Sequence, residues 1–147
     1  MSAAAQLPVR RLDPRARLPS RAHADDAGLD LHALQDGELA PGERAAVRTG
    51  IALEIPVGMG GLVLPRSGLA RRHGIALVNA PGLIDAGYRG EVEVLLLNTD
   101  RERAFTYRAG ERIAQLLLVA IAPVQVSEVA ALSASARGAG GFGSSGR

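Results

Sequence analysis

The sequence predicts an all-β sandwich or barrel, and three observations lead there. Glycine recurs at short intervals (Gly28, Gly37, Gly42, Gly50, Gly58, Gly68, Gly74, Gly82, Gly90, Gly110), the runs between are short and rich in Val, Ile and Leu, and a single segment carries helix punctuation. In chain order, strands are expected at Ala45–Ile55, Gly61–Leu64, Ile75–Asn79, Glu91–Asn98 and Arg112–Val129, the last long enough to bend and serve two sheets or an interface. Pro41-Gly42, Pro56-Val57-Gly58 and Ala109-Gly110-Glu111 supply turns, since proline presets φ and glycine accepts positive φ. The exception is Ser67–His73, which is closed by Gly74 and reads as two turns of helix with Ser67 as N-cap. Past Leu132 the composition shifts to Ser, Ala and Gly. The chain therefore divides into one domain, residues 1–132, and a flexible glycine-rich tail, residues 133–147, that offers only Phe142 for burial between Gly138 and Gly146.

A length of 147 residues suits one core. Hydrophobic residues make up 47%, aromatics 3%, and there is no tryptophan or cysteine, so Val, Leu, Ile and Ala build the core and disulfide or thiolate chemistry is excluded. All 17 basic side chains are arginine, which removes a P-loop lysine, a Schiff-base lysine and the Ser-x-x-Lys nucleophile pair together. The zinc deaminases fall too, because their signature needs two cysteines and a His-x-Glu, while the histidines are His23, His32 and His73. Formal net charge is only +2, and Arg10, Arg11, Arg15, Arg17 and Arg21 are followed by Asp25, Asp26 and Asp30. That cluster reads as a solvated strand, not a nucleic-acid surface. With no apolar run near 18 residues and no signal-peptide core before Pro8, the expectation is a soluble cytoplasmic protein with no membrane or nucleic-acid partner.

Five segments carry groups suited to a phosphate-rich ligand. Ala27-Gly-Leu-Asp-Leu31 places Asp30 in an apolar setting, either as a hydrogen-bonded acid at a strand start or as a site residue. Pro65-Arg-Ser-Gly68 puts a guanidinium, a hydroxyl and a glycine at the expected helix start, where free N–H groups favour an anion; the same residues also make an ordinary cap. Gly82-Leu-Ile-Asp-Ala-Gly-Tyr-Arg-Gly90 holds Asp85 in a glycine-rich turn, with the Tyr88 ring three residues on. Just before it, the Asn79 amide both donates and accepts, as reading a uracil edge requires. Gly110-Glu-Arg-Ile-Ala-Gln115 opens an apolar strand whose one polar side chain, Gln115, needs a partner. The tail, Arg137-Gly-Ala-Gly-Gly-Phe-Gly-Ser-Ser-Gly146, joins a fixed cation, backbone donors, two hydroxyls and an aromatic ring.

In this order and at these spacings, the five segments resemble the five motifs of the homotrimeric dUTPases, from about residue 9 to the C-terminus. Ser145 stands where many relatives carry threonine, which keeps the hydroxyl. The resemblance implies a jelly-roll fold assembled as a three-fold trimer with three sites at subunit junctions. It implies a dUTP diphosphatase that yields dUMP and pyrophosphate, keeps uracil out of DNA and supplies dUMP for thymidylate synthesis. On this chain it implies that Asp85 is the base orienting a water for attack on the α-phosphorus. Arg66, Ser67, Gln115, Arg137, Ser144 and Ser145 would bind the phosphate chain, and Gly68 and Gly143 would belong to the substrate-binding set. Asn79 and Gly82 would read uracil, Tyr88 would pack on the deoxyribose and Phe142 would close over the base. Mg²⁺ is expected on the phosphates and water with no direct protein ligand, and Asp30 as an outer-shell or structural acid. A carboxylate is a weak base at neutral pH, so positioning and charge stabilisation must do most of the work. Two alternatives stand beside this reading: a dCTP deaminase of the same fold, and a catalytically silent nucleotide-sensing module.

Overall fold

The computed structural model describes residues 6–144 and 146. Ten strands and one helix follow in order: β1 (Val9–Arg11), β2 (Leu29–His32), β3 (Gly37–Leu39), β4 (Arg44–Leu53), β5 (Met59–Leu64), α1 (Ser67–His73), β6 (Ile75–Leu77), β7 (Gly82–Ile84), β8 (Glu91–Asn98), β9 (Phe105–Tyr107) and β10 (Arg112–Ala120). They form two antiparallel four-stranded sheets, β1-β4-β8-β6 and β2-β10-β5-β7, and a two-stranded ribbon, β3-β9. Both large sheets stay open, so the jelly-roll-like fold is a sandwich and not a closed barrel.

Side-chain alternation explains the core. Along β8, Val92, Val94, Leu96 and Asn98 point inward and are buried, the period of two that a half-covered strand requires. They meet Val47, Ile51 and Leu53 of β4, Val63 of β5, and Ile113 and Leu116 of β10. Small and branched aliphatics suffice because Phe105 and Tyr107 of the ribbon close one side of the cluster. No helix among the described residues is long and apolar enough to cross a membrane.

The long strands lie where the apolar runs place them, with shifted ends. β10 stops at Ala120 instead of continuing to Val129, because its neighbour β5 ends at the facing Met59 and Pro123, three residues on, has no N–H to donate. β4 ends at Leu53 and carries an irregularity between Arg48 and Ala52, where Gly50 takes φ +72°. The helix is found, but its N-cap is Arg66, extended at φ −89° and ψ 125° with no side-chain cap; Ser67 is already inside the first turn. Gly74 closes it at φ 63° and donates to the Leu69 and Ala70 carbonyls, as the sequence indicates.

Candidate active site

The polar groups of the second sheet gather at two separate places. At one, β10 sits between β2 and β5 with Gln115 opposite both Asp30 and Leu64. This register sets Asp30, Gln115 and the Pro65-Arg66 turn side by side. Arg66 Nε lies 3.8 Å from Asp30 Oδ1, Arg112 Nη1 lies 3.4 Å from Asp30 Oδ2, and Arg66 Nη1 donates to the Arg112 carbonyl at 3.1 Å. Asp30 thus holds two guanidinia in place. Gly28 makes room for Gln115, since a Cβ there would stand 2.5 Å from Gln115 Oε1. No side chain caps α1, so the N–H groups of its first turn have no side-chain acceptor from the cap residue.

At the other place, β7 leaves the sheet as a hairpin through residues 79–90. A pocket of about 220 Å³ lies against it, lined in part by Val63, Asn79, Gly82, Ile84 and Tyr88. The absent side chain of Gly82 matters here, because a Cβ would sit 3.1 Å from Asn79 Nδ2. Tyr88 donates to the Glu91 carbonyl at 2.9 Å, and its ring folds across Gly90. The turn is closed by Tyr88 N–H on the Asp85 carbonyl at 3.0 Å. Asp85 itself is exposed, and its carboxylate has no ion pair or hydrogen bond among the described residues, which leaves both oxygens for water.

Strand geometry keeps the two places apart. Ile84 faces Gly61 and Gly82 faces Val63, so Asp85 leaves near Gly60 while Arg66 lies beyond Leu64 at the opposite end of β5. Four residues at about 3.3 Å separate Gly60 from Leu64 by roughly 13 Å. Sideways, β2 and β7 are three strand spacings apart, roughly 14 Å.

The tail touches neither place. Beyond Ile121, whose N–H reaches the Gly58 carbonyl, every hydrogen bond of the described residues is internal to the arm, including Arg137 Nε to the Gly140 carbonyl at 2.7 Å. Phe142, at φ 50°, is wholly exposed, and Gly143 and Ser144 lie in the turn beside it. Ser145 falls outside the described residues. Sequence reasoning missed Arg112, Gly28 and Gly90, although each sits inside or beside a segment it had singled out.

A family model described as dUTPase matches residues 14–146. The chain belongs to the dUTPase family. It is 53% identical over 146 residues to the deoxyuridine 5'-triphosphate nucleotidohydrolase of Nocardia farcinica, covering 99% of this chain and 88% of that one. To the protein of that name from Thermobifida fusca it is 56% identical over 138 residues, 94% and 77% of the two chains. Among solved structures it is similar to the Staphylococcus bacteriophage 80alpha dUTPase with dUpNHpp, at TM-score 0.90 and 33% identity over 98% of this chain and 100% of that one. It also matches the dUTPase of phage phi11, a structure described for its structural Mg(II) ion, at TM-score 0.80 and 28% identity over 86% and 98%. Membership of the dUTPase family disfavours the deaminase and the silent-sensor alternatives.

Proposed function

We propose that this chain hydrolyses dUTP to dUMP and pyrophosphate, at sites that more than one copy builds together. The observation that carries the reading is the hairpin of residues 79–90: a base-sized pocket, an amide to read it, a ring beside it and an unpaired carboxylate at its tip. Uracil would lie against Asn79 and Gly82, with little room for a thymine methyl. Tyr88 would cover the deoxyribose and crowd a 2′-hydroxyl. Asp85 would hold the water that attacks the α-phosphorus. Arg66, Ser67, Gly68 and Gln115 would bind the phosphate chain, with Asp30 as the acid that fixes Arg66.

No group of three His, Asp or Glu able to hold a metal occurs among the described residues. Asp30 is committed to guanidinia and Asp85 is exposed, a donor set that fits Mg²⁺ held through water and phosphate oxygens. When bound, the ion would neutralise phosphate charge as the leaving pyrophosphate departs.

The water held by Asp85 must meet a phosphate held by Arg66 and Gln115, and one copy keeps these groups on opposite ends of β5. A closed ring of copies would answer this, and the reading takes that ring to be a trimer. The arm beyond Ile121, with Val124 and Val126 exposed, is free to carry Arg137, Phe142, Gly143, Ser144 and Ser145 to another copy's site. A cysteine-free chain needs no oxidising compartment, and the cytoplasm is where we place it.

The test is incubation with dUTP or dCTP and Mg²⁺ while pyrophosphate and ammonia are both measured. Pyrophosphate from dUTP alone is expected; ammonia from dCTP would mark a deaminase, and no product a sensor. Asp85→Asn should leave the fold intact and lower turnover by at least roughly 10²-fold, and near-normal turnover would remove Asp85 from its role.

A further inference from the structure

The hairpin of residues 79–90 bridges the two large sheets, since β7 pairs with β5 in one and the chain resumes as β8 in the other. Its upstream leg is held by a ladder in which Gly82 faces Val63, Leu83 faces Leu62 and Ile84 faces Gly61. Its downstream end is held differently. The ladder between β4 and β8 runs from Arg44 opposite Leu97 to Arg48 opposite Glu93 and then breaks, because Thr49, Gly50 and Ile51 bulge against the single residue Val92 before Ala52 meets Glu91. Glu91 is therefore the one residue of β8 paired beyond the break, and the turn carrying Asp85 and Tyr88 hangs from it.

Two side chains close the break. Thr49 Oγ1 donates to the Val92 carbonyl at 2.5 Å, and Glu91 Oε1 accepts the Gly50 N–H at 2.8 Å while Arg48 Nε donates to the same carboxylate at 3.0 and 3.2 Å. Only the Glu91 carboxylate belongs to the foot of the hairpin. Gly50 is buried at φ +72°, has no register partner on β8, and gives its carbonyl to the Leu12 N–H at 2.8 Å. The Glu91 side chain is 18% exposed against 48% for Arg48, so the Gly50 bond is the stronger restraint and the half-exposed ion pair adds little. A further tie, Arg89 Nη2 to Glu54 Oε1 at 3.6 Å, is exposed at both ends and counts for less still.

We propose that Glu91 is a positioning residue for the reaction: by locking the foot of the hairpin into the β4 bulge, it fixes through the main chain where Asp85 and Tyr88 stand. The inference rests on the roles proposed for those two residues. Because the restraint acts on the backbone, it does not depend on the Tyr88 hydroxyl. Without the carboxylate the buried Gly50 N–H loses its acceptor, the foot parts from the bulge, and the turn drifts relative to the leg held by β5. A glutamine in the same place keeps an oxygen for the Gly50 N–H and gives up only the ion pair.

The experiment compares the intact wild-type protein with Glu91→Ala, Glu91→Gln and Arg48→Ala. Steady-state kinetics with dUTP and UTP and Mg²⁺ give the preference between them, a ratio taken on one preparation so that any unfolded protein cancels. The chain has two tyrosines, Tyr88 and the buried Tyr107, so the magnetic resonance spectrum of protein labelled on its tyrosine rings carries two signals. Glu91→Ala should move the Tyr88 signal and leave that of Tyr107, lower kcat roughly 5- to 10-fold and narrow the preference for dUTP by a similar factor, a partial drift costing less than the 10²-fold of a full misplacement. Glu91→Gln should recover most of that loss, and Arg48→Ala should stay within about twofold of wild type. A Tyr88 signal that stays in place in folded Glu91→Ala, or Glu91→Gln as impaired as Glu91→Ala, overturns the proposal. A moved signal with rate and preference intact overturns it too; Asp85→Asn and Tyr88→Ala, which bear on those residues alone, then tell whether the reading of the hairpin falls with it. Should Glu91→Ala not fold, hydrogen exchange on the wild type decides: dUpNHpp should slow exchange of the Gly50 amide, and an unchanged rate overturns the link.

Discussion

Adding one methyl group at Gly90 isolates what Tyr88 does. An alanine Cβ there would stand 2.4 Å from the Tyr88 hydroxyl and 2.6 Å from its Cζ, against ordinary contacts of 3.4 Å or more, so the ring must retreat by about 1 Å. Tyr88 is about half exposed and swings outward without disturbing the core. The folding cost is then the lost bond to the Glu91 carbonyl, about 1 kcal/mol, or a few degrees in Tm. The functional cost is larger, because displacements of about 1 Å in a positioned group cost on the order of 10²-fold. Gly90→Ala should therefore lower kcat/KM for dUTP by roughly 10- to 100-fold and narrow the preference for dUTP over UTP. Tyr88→Phe, which keeps the ring in place, should preserve that preference. The assay is steady-state kinetics with both nucleotides on protein whose melting has been checked. A folded Gly90→Ala protein that discriminates as strongly as wild type would refute the role of the ring.

Three further outcomes follow from the fold. Asn98 is fully buried; it donates to the Leu39 and Arg103 carbonyls at 3.0 and 2.9 Å and accepts from Asp100 N–H at 2.9 Å. Asn98→Ala should cost roughly 3 kcal/mol in urea unfolding, about 1 per bond, and a loss under about 1 kcal/mol would show that water replaces the amide. Burial pushes His32 below the ordinary imidazole value, with Asp30 opposing and the arginines reinforcing. The unfolded chain then takes up this proton first, so the stability is present above about pH 6.5 and is lost as pH falls through the lowered folded value. In phosphate-free buffer the wild-type urea midpoint should fall more than that of His32→Gln between about pH 7.5 and 5.5; equal slopes would count against the shift. Finally, co-refolding Asp85→Asn with a truncation ending at Ala136 should restore about one-half times one-half, roughly a quarter, of wild-type activity if the tail serves another copy. Verified mixed trimers that stay inactive would place the tail in its own subunit's site.

The sequence made the long strands legible because eight to ten residues are enough to show an apolar rhythm, as in β8. Val9–Arg11, Gly37–Leu39, Gly82–Ile84 and Phe105–Tyr107 are three residues each, too short for a period, and exist because a partner strand is already there. The helix was legible through Gly74. Its cap was misplaced by one residue because a hydroxyl at the start of a helix looks the same whether it is used or idle. Asp85, Tyr88 and Asn79 share one short segment, so their grouping could be read directly. The Asp30–Arg66–Arg112 cluster joins residues brought together by the order of β2, β10 and β5, which no local pattern encodes.

The double pairing of β5 governs where this chain can change length. One edge of β5 carries β10 and the other carries β7, so an added residue between Gly61 and Leu64 would turn the following side chains to the wrong face. It would also slide the hairpin by about 3.3 Å relative to Arg66. The segment from Leu132 to Ala136 is exposed and makes no contact with the sheets through hydrogen bonds or ion pairs, so added residues there only lengthen a tether. Insertions and fusions therefore belong in the arm, and deletions in β5 should be lethal to activity even where the protein still folds.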